Sequence, residues 1–364
     1  MPGGHRWPNR MRNPLEVPAS AEILGAAFGP VMRAARKRIG RQICRLGCLP
    51  LWVGVVARQS WGAVSSRAAY TPLPLMHPSP TPLVFFPARP SGDVDALVVQ
   101  ASPRRDRADV GFRRGNVGTH TSRTIMLAEL GTLFDAVPAA ATEEEISAAI
   151  REANCLGKQT AATRRSTRQR LAELYGLNPH VPVYRVLRRL WQLDVAGRPL
   201  LAILVAVARD PLLAASAAAI VPLAVGTEFT RGPMKEAILV ATGDRISDAI
   251  LDKVVRNAAS SWTQSGHLAG RTIKVRQKVI ATPATAAMAL YLANAAGFRG
   301  QLVFANGWTK LLDADAATLR HLALEAKRSG LIDVRMAGDI VDTAFDRLDP
   351  GFPASTSSSQ EGVA

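Results

Sequence analysis

Apolar residues recur through the middle of this chain at the spacing of buried helix faces. Thr142 stands three residues ahead of Glu145, and Ile146, Ala149, Ile150 and Ala153 follow at i, i+3, i+4 and i+7. This predicts an amphipathic helix opened by a capping box. A turn over 155–159 leads to a second helix, 160–175, dense in arginine. On a helical projection Arg164 and Arg168 lie beside Leu171 and Tyr175 while Arg170 points elsewhere, so these cations do not share one stripe. From 181 to 193 the division is sharper. Val183, Val186, Leu187, Leu190 and Trp191 fill one face, and Arg185, Arg188 and Arg189 fill the other. Upstream, Ser122 is expected to cap a helix bearing Ile125, Met126, Leu130 and Leu133, stopped by Pro138.

Downstream, residues 199–225 are strongly apolar but broken by Arg209, Asp210 and Pro211. Two buried helices follow from that break, with Asp210 as N-cap and Pro211 in the first turn. Helices are then predicted from Thr230, interrupted at Thr242-Gly243-Asp244, and from Ser247 to Ser265, with Ile250, Leu251, Val254, Val255, Ala258 and Trp262 inward. Ile273, Val275 and Val279 alternate with Lys274, Arg276 and Lys278, the period of a basic strand. Helix, turn, helix and basic strand is the order of a winged-helix unit. Helices over 282–296 and 316–329 and a hairpin over 331–345, turned at Ala337-Gly338, complete the pattern. The fold class is mainly α, a multi-helix bundle with helix-turn-helix and winged-helix-like units and short β-hairpin wings. Two domains are expected, 116–226 and 227–348, with a tail over 349–364.

Residues 1–115 lack this periodicity. They hold 14 of the 24 prolines, and TPLPLMHPSPTPLVFFPARP from Thr71 sustains neither a helix nor a central strand. The expectation is a disordered, Pro- and Arg-rich extension, translated from a start upstream of the true one, whose removal leaves the core folded.

Composition then narrows the partners. The chain of 364 residues carries a net charge of +16, and its first 110 residues, with 15 Lys and Arg against 6 Asp and Glu, hold +9 of it. A basic balance favours a polyanion. Three cysteines, Cys44, Cys48 and Cys155, form neither a disulfide framework nor a metal-ligand spacing, which suits a cytoplasmic protein with no metal. No uninterrupted apolar run is long enough for a membrane span, and no insertion is expected. Phosphate loops, nucleophile elbows and paired histidines are missing from the sequence. His120 and His267 stand among hydroxyl residues and read as capping or turn histidines. The chain is therefore read as non-enzymatic and without a cofactor. The candidate nucleic-acid contacts are Lys158, Thr160, Arg164, Arg165 and Arg168 on the first basic helix, Arg185, Arg188 and Arg189 on the second, and Arg271, Lys274 and Arg276 on the wing.

Three stretches carry a family resemblance: HTSRTIMLAEL from His120, EANCLGKQTAATRRSTRQRLAELYGL from Glu152, and NAASSWTQSGHLAG from Asn257. Together they resemble the BrxA family of BREX bacteriophage-exclusion systems, over roughly residues 119–345. The resemblance implies a mostly helical cytoplasmic protein that binds double-stranded DNA beside methyltransferase and ATPase partners, without an active site. A distant likeness of that family to the antitermination protein NusB keeps RNA binding as the alternative. A structural subunit with merely solvated charges is the other.

Overall fold

The computed structural model describes Leu83, Phe85 and residues 107–115, 117–243 and 246–351. The remainder of the expected N-terminal extension, with Cys44 and Cys48, and the tail beyond 351 lie outside the described residues. Within them the chain is mainly α, with eleven α-helices and two antiparallel sheets of two strands each.

Two apolar helices form the centre. Helix α5 (Arg198–Arg209) buries every residue from Leu200 to Ala208, and α9 (Pro283–Ala296) buries every residue from Ala284 to Ala296. A helix apolar all round has to be surrounded. The alanines of α9 let its neighbours approach closely, and it packs on α4 (Pro182–Leu193), α5, α10 (Gly307–Lys310) and α11 (Ala316–Arg328). Packing is thus continuous across the expected division at 226/227. Thr282 and Thr285 close a capping box at the start of α9, and the box expected at Thr142 and Glu145 opens α2 (Glu143–Arg151). Asp210 performs its expected task too, accepting from the backbone N–H groups of Leu212 and Leu213 at 3.0 and 3.2 Å to start α6 (Pro211–Ser216). The bend between α5 and the segment that α6 begins is 112°, and no single described helix is long and apolar enough to cross a membrane.

Other expectations require correction. The helix placed at Ser122 begins later, as α1 (Leu127–Ala136). Thr119–Thr121 instead form a 3-10 turn, and Met126, at φ 52°, sits in the left-handed region. Gln264 supplies what Ser122 does not, its side-chain oxygen accepting from the Leu127 N–H at 3.1 Å. Ile250, assigned to the inner face, is 43% exposed, because it lies in the first turn of α8 (Asp248–Gln264), before that helix is covered. The basic strand shrinks to β2 (Val275–Arg276), paired with β1 (Leu268–Ala269). The C-terminal hairpin forms as expected from β3 (Asp333–Ala337) and β4 (Ile340–Ala344), with Gly338 at φ 57°. Helix α10 and the 3-10 turn Gly300–Phe304 had no counterpart in the sequence reading.

The N-terminal boundary also moves. Phe85, Val110 and Phe112 are buried, against the expectation that nothing before 116 joins the core. Trp308 holds the two phenylalanines. Its indole N–H donates to the Phe85 carbonyl at 2.7 Å, Phe85 packs edge-on with centroids 4.8 Å apart, and Phe112 stacks at 5.7 Å. A buried indole N–H usually finds an acceptor, and here the Phe85 carbonyl is that acceptor.

Candidate nucleic-acid interface

Helix α7 (Arg231–Thr242) and α8 pack against one another, and β1 and β2 follow, joined by a turn over Gly270–Lys274. Gly270 takes φ +111°, and a Cβ there would collide with the Ile273 carbonyl, so the turn requires glycine. Lys274 braces it. Its ammonium donates to Thr263 Oγ1 on α8 at 2.8 Å and to the Gly270 carbonyl at 3.2 Å, and burial pulls its pKa below the usual lysine value. Glu228 bridges Val275, and the Phe229 N–H donates to the Lys274 carbonyl at 2.7 Å, tying the turn to the approach to α7.

Between these elements lies an open groove of about 590 Å³, lined by Arg231, Arg256, Arg271 and Lys274 together with Ser260, Thr263, Gln264 and Thr272. No carboxylate lines it. Asp252, on α8, lies outside the lining. It pairs with Lys235 at 2.6 Å, and that pairing, with a smaller effect of Arg231 and Arg256, lowers its pKa. Arg231, Arg256 and Arg271 are exposed and take part in no ion pair among the described residues. Four cations focused on one concavity attract a polyanion more strongly than the same charges dispersed. Hydroxyl and amide groups between them suit phosphate oxygens.

Two of these cations, Arg271 and Lys274, were candidates from the sequence. Arg231 and Arg256 were missed, although Arg256 stands on the side of α8 opposite its inward residues and a projection of that outer face would have found it.

The other candidates divide. On α3 (Ala161–Tyr175), Arg168 pairs with Glu143 at 2.6 Å, and Lys158, just before the helix, pairs with Glu129 at 3.1 Å. Thr160 is the N-cap, its hydroxyl accepting from the Thr163 N–H at 3.1 Å. Arg165 is exposed and Arg164 half-buried, so this face retains part of its charge.

On α4 the expected basic face is not a free face. Arg188 is only 3% exposed. It donates to the carbonyls of Phe134, at 3.0 Å, and Val137, and lies 4.2 Å over the Phe134 ring. Those carbonyls belong to the end of α1, where helix geometry leaves acceptors without partners. Arg185 pairs with Asp349 at 2.8 Å and donates to the Pro179 and His180 carbonyls, while Arg189 donates to the Arg347 and Leu348 carbonyls. The C-terminal segment occupies these two side chains.

Arg276 is a further correction. Expected on the wing surface, it is 1% exposed, pairs with Asp313 at 2.5 Å and donates to the Ile220 carbonyl at 3.0 Å. Its alternation with Lys274 failed as a guide because β2 is covered on its Arg276 side by the chain around 220 and 313.

His120 reveals a network that the sequence did not. Its Nδ1 lies 2.8 Å from Asp210 Oδ2 and its Nε2 2.8 Å from Ser261 Oγ, the order of a nucleophilic triad. All three residues are at most 1% exposed, however. Ser261 Oγ also accepts from the Ile125 N–H at 3.0 Å, and Asn257 Nδ2 donates to the His120 carbonyl at 2.8 Å. The cluster thus ties the 119–121 turn to α8 and to the bend at Asp210. Gly118 makes room for it, since a Cβ there would strike the Asp210 carboxylate. Among the described residues no three His, Cys, Asp or Glu side chains are grouped to hold a metal ion. Compared with protein-family models and with curated proteins, the chain matches none.

Proposed function

We propose that this chain is a non-enzymatic, double-stranded DNA-binding protein that grips phosphates through the groove between α7, α8 and the β1–β2 turn. The observation that carries this reading is the convergence of Arg231, Arg256, Arg271 and Lys274 on a concavity with no carboxylate in its lining. Phosphate contacts supply affinity without naming a sequence. Arg164 and Arg165 on α3 add a second, weaker basic surface. The resemblance to the BrxA family supports a role as an accessory component of a BREX-type phage-defence system in the cytoplasm, beside methyltransferase and ATPase partners.

The test is a titration with random duplex DNA across a range of salt. Each phosphate contact contributes a slope of about −0.9 in log K against log salt. Replacing Arg231, Arg256 and Arg271 together by Gln should make the slope shallower by roughly 2 to 3 units. The thermal midpoint should hardly move, since exposed charges outside caps and networks matter within about 0.5 kcal/mol. An unchanged slope in a folded triple variant removes the groove from the interface. Tighter binding of an equal length of duplex RNA would favour the NusB-like alternative.

A further inference from the structure

Between two of the groove's cations, Ile273 is 61% exposed. Period two from Val275 and Val279 places its side chain against the core, but the strand pairing ends at Val275 and leaves Ile273 outside the ladder. A single exposed isoleucine is ordinary. This one differs in how it is presented. Gly270 fixes the turn from one side, and the Lys274 ammonium clamps it to α8 and to the Gly270 carbonyl from the other. The backbone immediately after it is held by the Phe229 N–H. Ile273 is therefore an apolar β-branched side chain held outward on a braced turn beside a cationic groove, with exposed Arg271 and Thr272 preceding it.

An apolar tip flanked by cations fits a surface that is apolar inside and anionic at its edges. The faces of stacked bases, with phosphates on either side, have that character, and inserted aliphatic wedges are a recurrent means of kinking duplex DNA through its minor groove. We infer that Ile273 is a wedge that enters the minor groove of bound duplex and loosens one base step, the resulting bend bringing phosphates onto Arg271 and Lys274. This rests on the DNA-binding reading of the groove and adds a preference to it. Pyrimidine–purine steps unstack most easily, so binding should favour them although no base edge is read.

The experiment uses the full chain and two end-labelled duplexes of identical base composition, one with a central TATATA and the other with AAATTT. The unaltered protein should bind the first about 5-fold more tightly and raise its end-to-end energy transfer through bending. Ile273→Ala should reduce the preference below about 2-fold, abolish the bend and make the salt slope shallower by about 1 to 2 units, since the phosphates brought onto Arg271 and Lys274 are released. Ile273→Thr retains the β-branched shape without the apolar tip and should behave as the alanine variant does, which guards against a collapsed turn. Retention of preference and bend by both variants overturns the wedge. So does a wild-type chain that binds duplex without bending it or discriminating between the two, and then the groove reading survives alone. Failure of the wild-type chain to bind either duplex overturns both. Loss of association with a protein partner in the variants, with DNA behaviour unchanged, makes Ile273 a protein-docking residue instead.

Discussion

His267 shows how burial governs a single residue. It follows the end of α8, 0% exposed, with Nδ1 2.9 Å from Ser265 Oγ and Nε2 2.9 Å from the Leu311 carbonyl. A neutral ring donating from Nε2 and accepting from Ser265 satisfies both contacts. Burial is the largest influence on its pKa and lowers it to about 4, with Arg276 acting in the same direction and the Leu311 carbonyl and Asp313 opposing. In the unfolded chain the value is about 6.5. Between the two, the unfolded chain takes up a proton that the folded chain refuses, so this contribution to stability is complete above about pH 6.5 and declines towards pH 4. The loss is on the order of 3 kcal/mol at the lower end. Urea midpoints of the wild-type protein should therefore fall between pH 7.5 and 4.5, and those of His267→Gln should fall much less. Parallel curves would show that another group sets the acid sensitivity. The sequence marked His267 as a turn histidine and Trp262 as core. Both follow from local pattern, and Trp262 is indeed fully buried, its indole N–H donating to Ser216 Oγ at 2.8 Å. The His120, Asp210 and Ser261 cluster was not legible, because its members stand 90 and 141 residues apart and meet only after folding.

At the scale of elements, periodicity located most helices but described only one of the surfaces each one presents. Helix α4 illustrates this. Pro182 and the apolar row ending at Trp191 fix its extent, and the opposite arginine row reads as solvated. The end of α1 and the segment 347–349 cover that row instead, and neither approach is written in the local pattern. Arg188 is consequently a structural cation. Removing its guanidinium leaves two helix-end carbonyls without a donor and forfeits the contact with the Phe134 ring, so Arg188→Gln should lower stability by about 2 to 4 kcal/mol. Arg189→Gln, at a more exposed position, should cost about 1 kcal/mol or less. Chemical denaturation measures both, and the DNA salt slope of folded Arg188→Gln should equal that of the wild type. A stable Arg188→Gln with a shallower slope would return α4 to the interface. Helix α8 offers the reverse case. Its inward residues are legible, and by the same projection so is Arg256, a lone cation whose partners in the groove come from other elements and so form no cluster in the sequence.

For the whole molecule, the division between folded chain and dispensable extension is where sequence pattern and packing disagree most. Proline density before residue 115 argued against helices and central strands, and that argument does not touch residues held as individual side chains. Phe85, Val110 and Phe112 are such residues, and no periodic signal announces them. They bury against a chain whose central helices, α5 and α9, lie far later in sequence, and Phe85 and Phe112 meet at Trp308. The Val110 carbonyl accepts from the Val183 N–H at 3.0 Å, so the contact also includes backbone near the start of α4. A chain starting at residue 116 would lose all of this. Burial of a large apolar side chain contributes about 1.5 to 3 kcal/mol, and the Trp308 indole left without its acceptor would cost about 1 to 3 kcal/mol more. Against a typical total of about 5 to 15 kcal/mol, that loss is decisive. The chain truncated at 116 should therefore unfold at a much lower temperature than the full chain or show no cooperative transition, and Trp308→Phe in the full chain should reproduce part of the loss. A truncated protein with an unchanged thermal midpoint would show that these contacts contribute nothing net and that order begins near Thr119 after all.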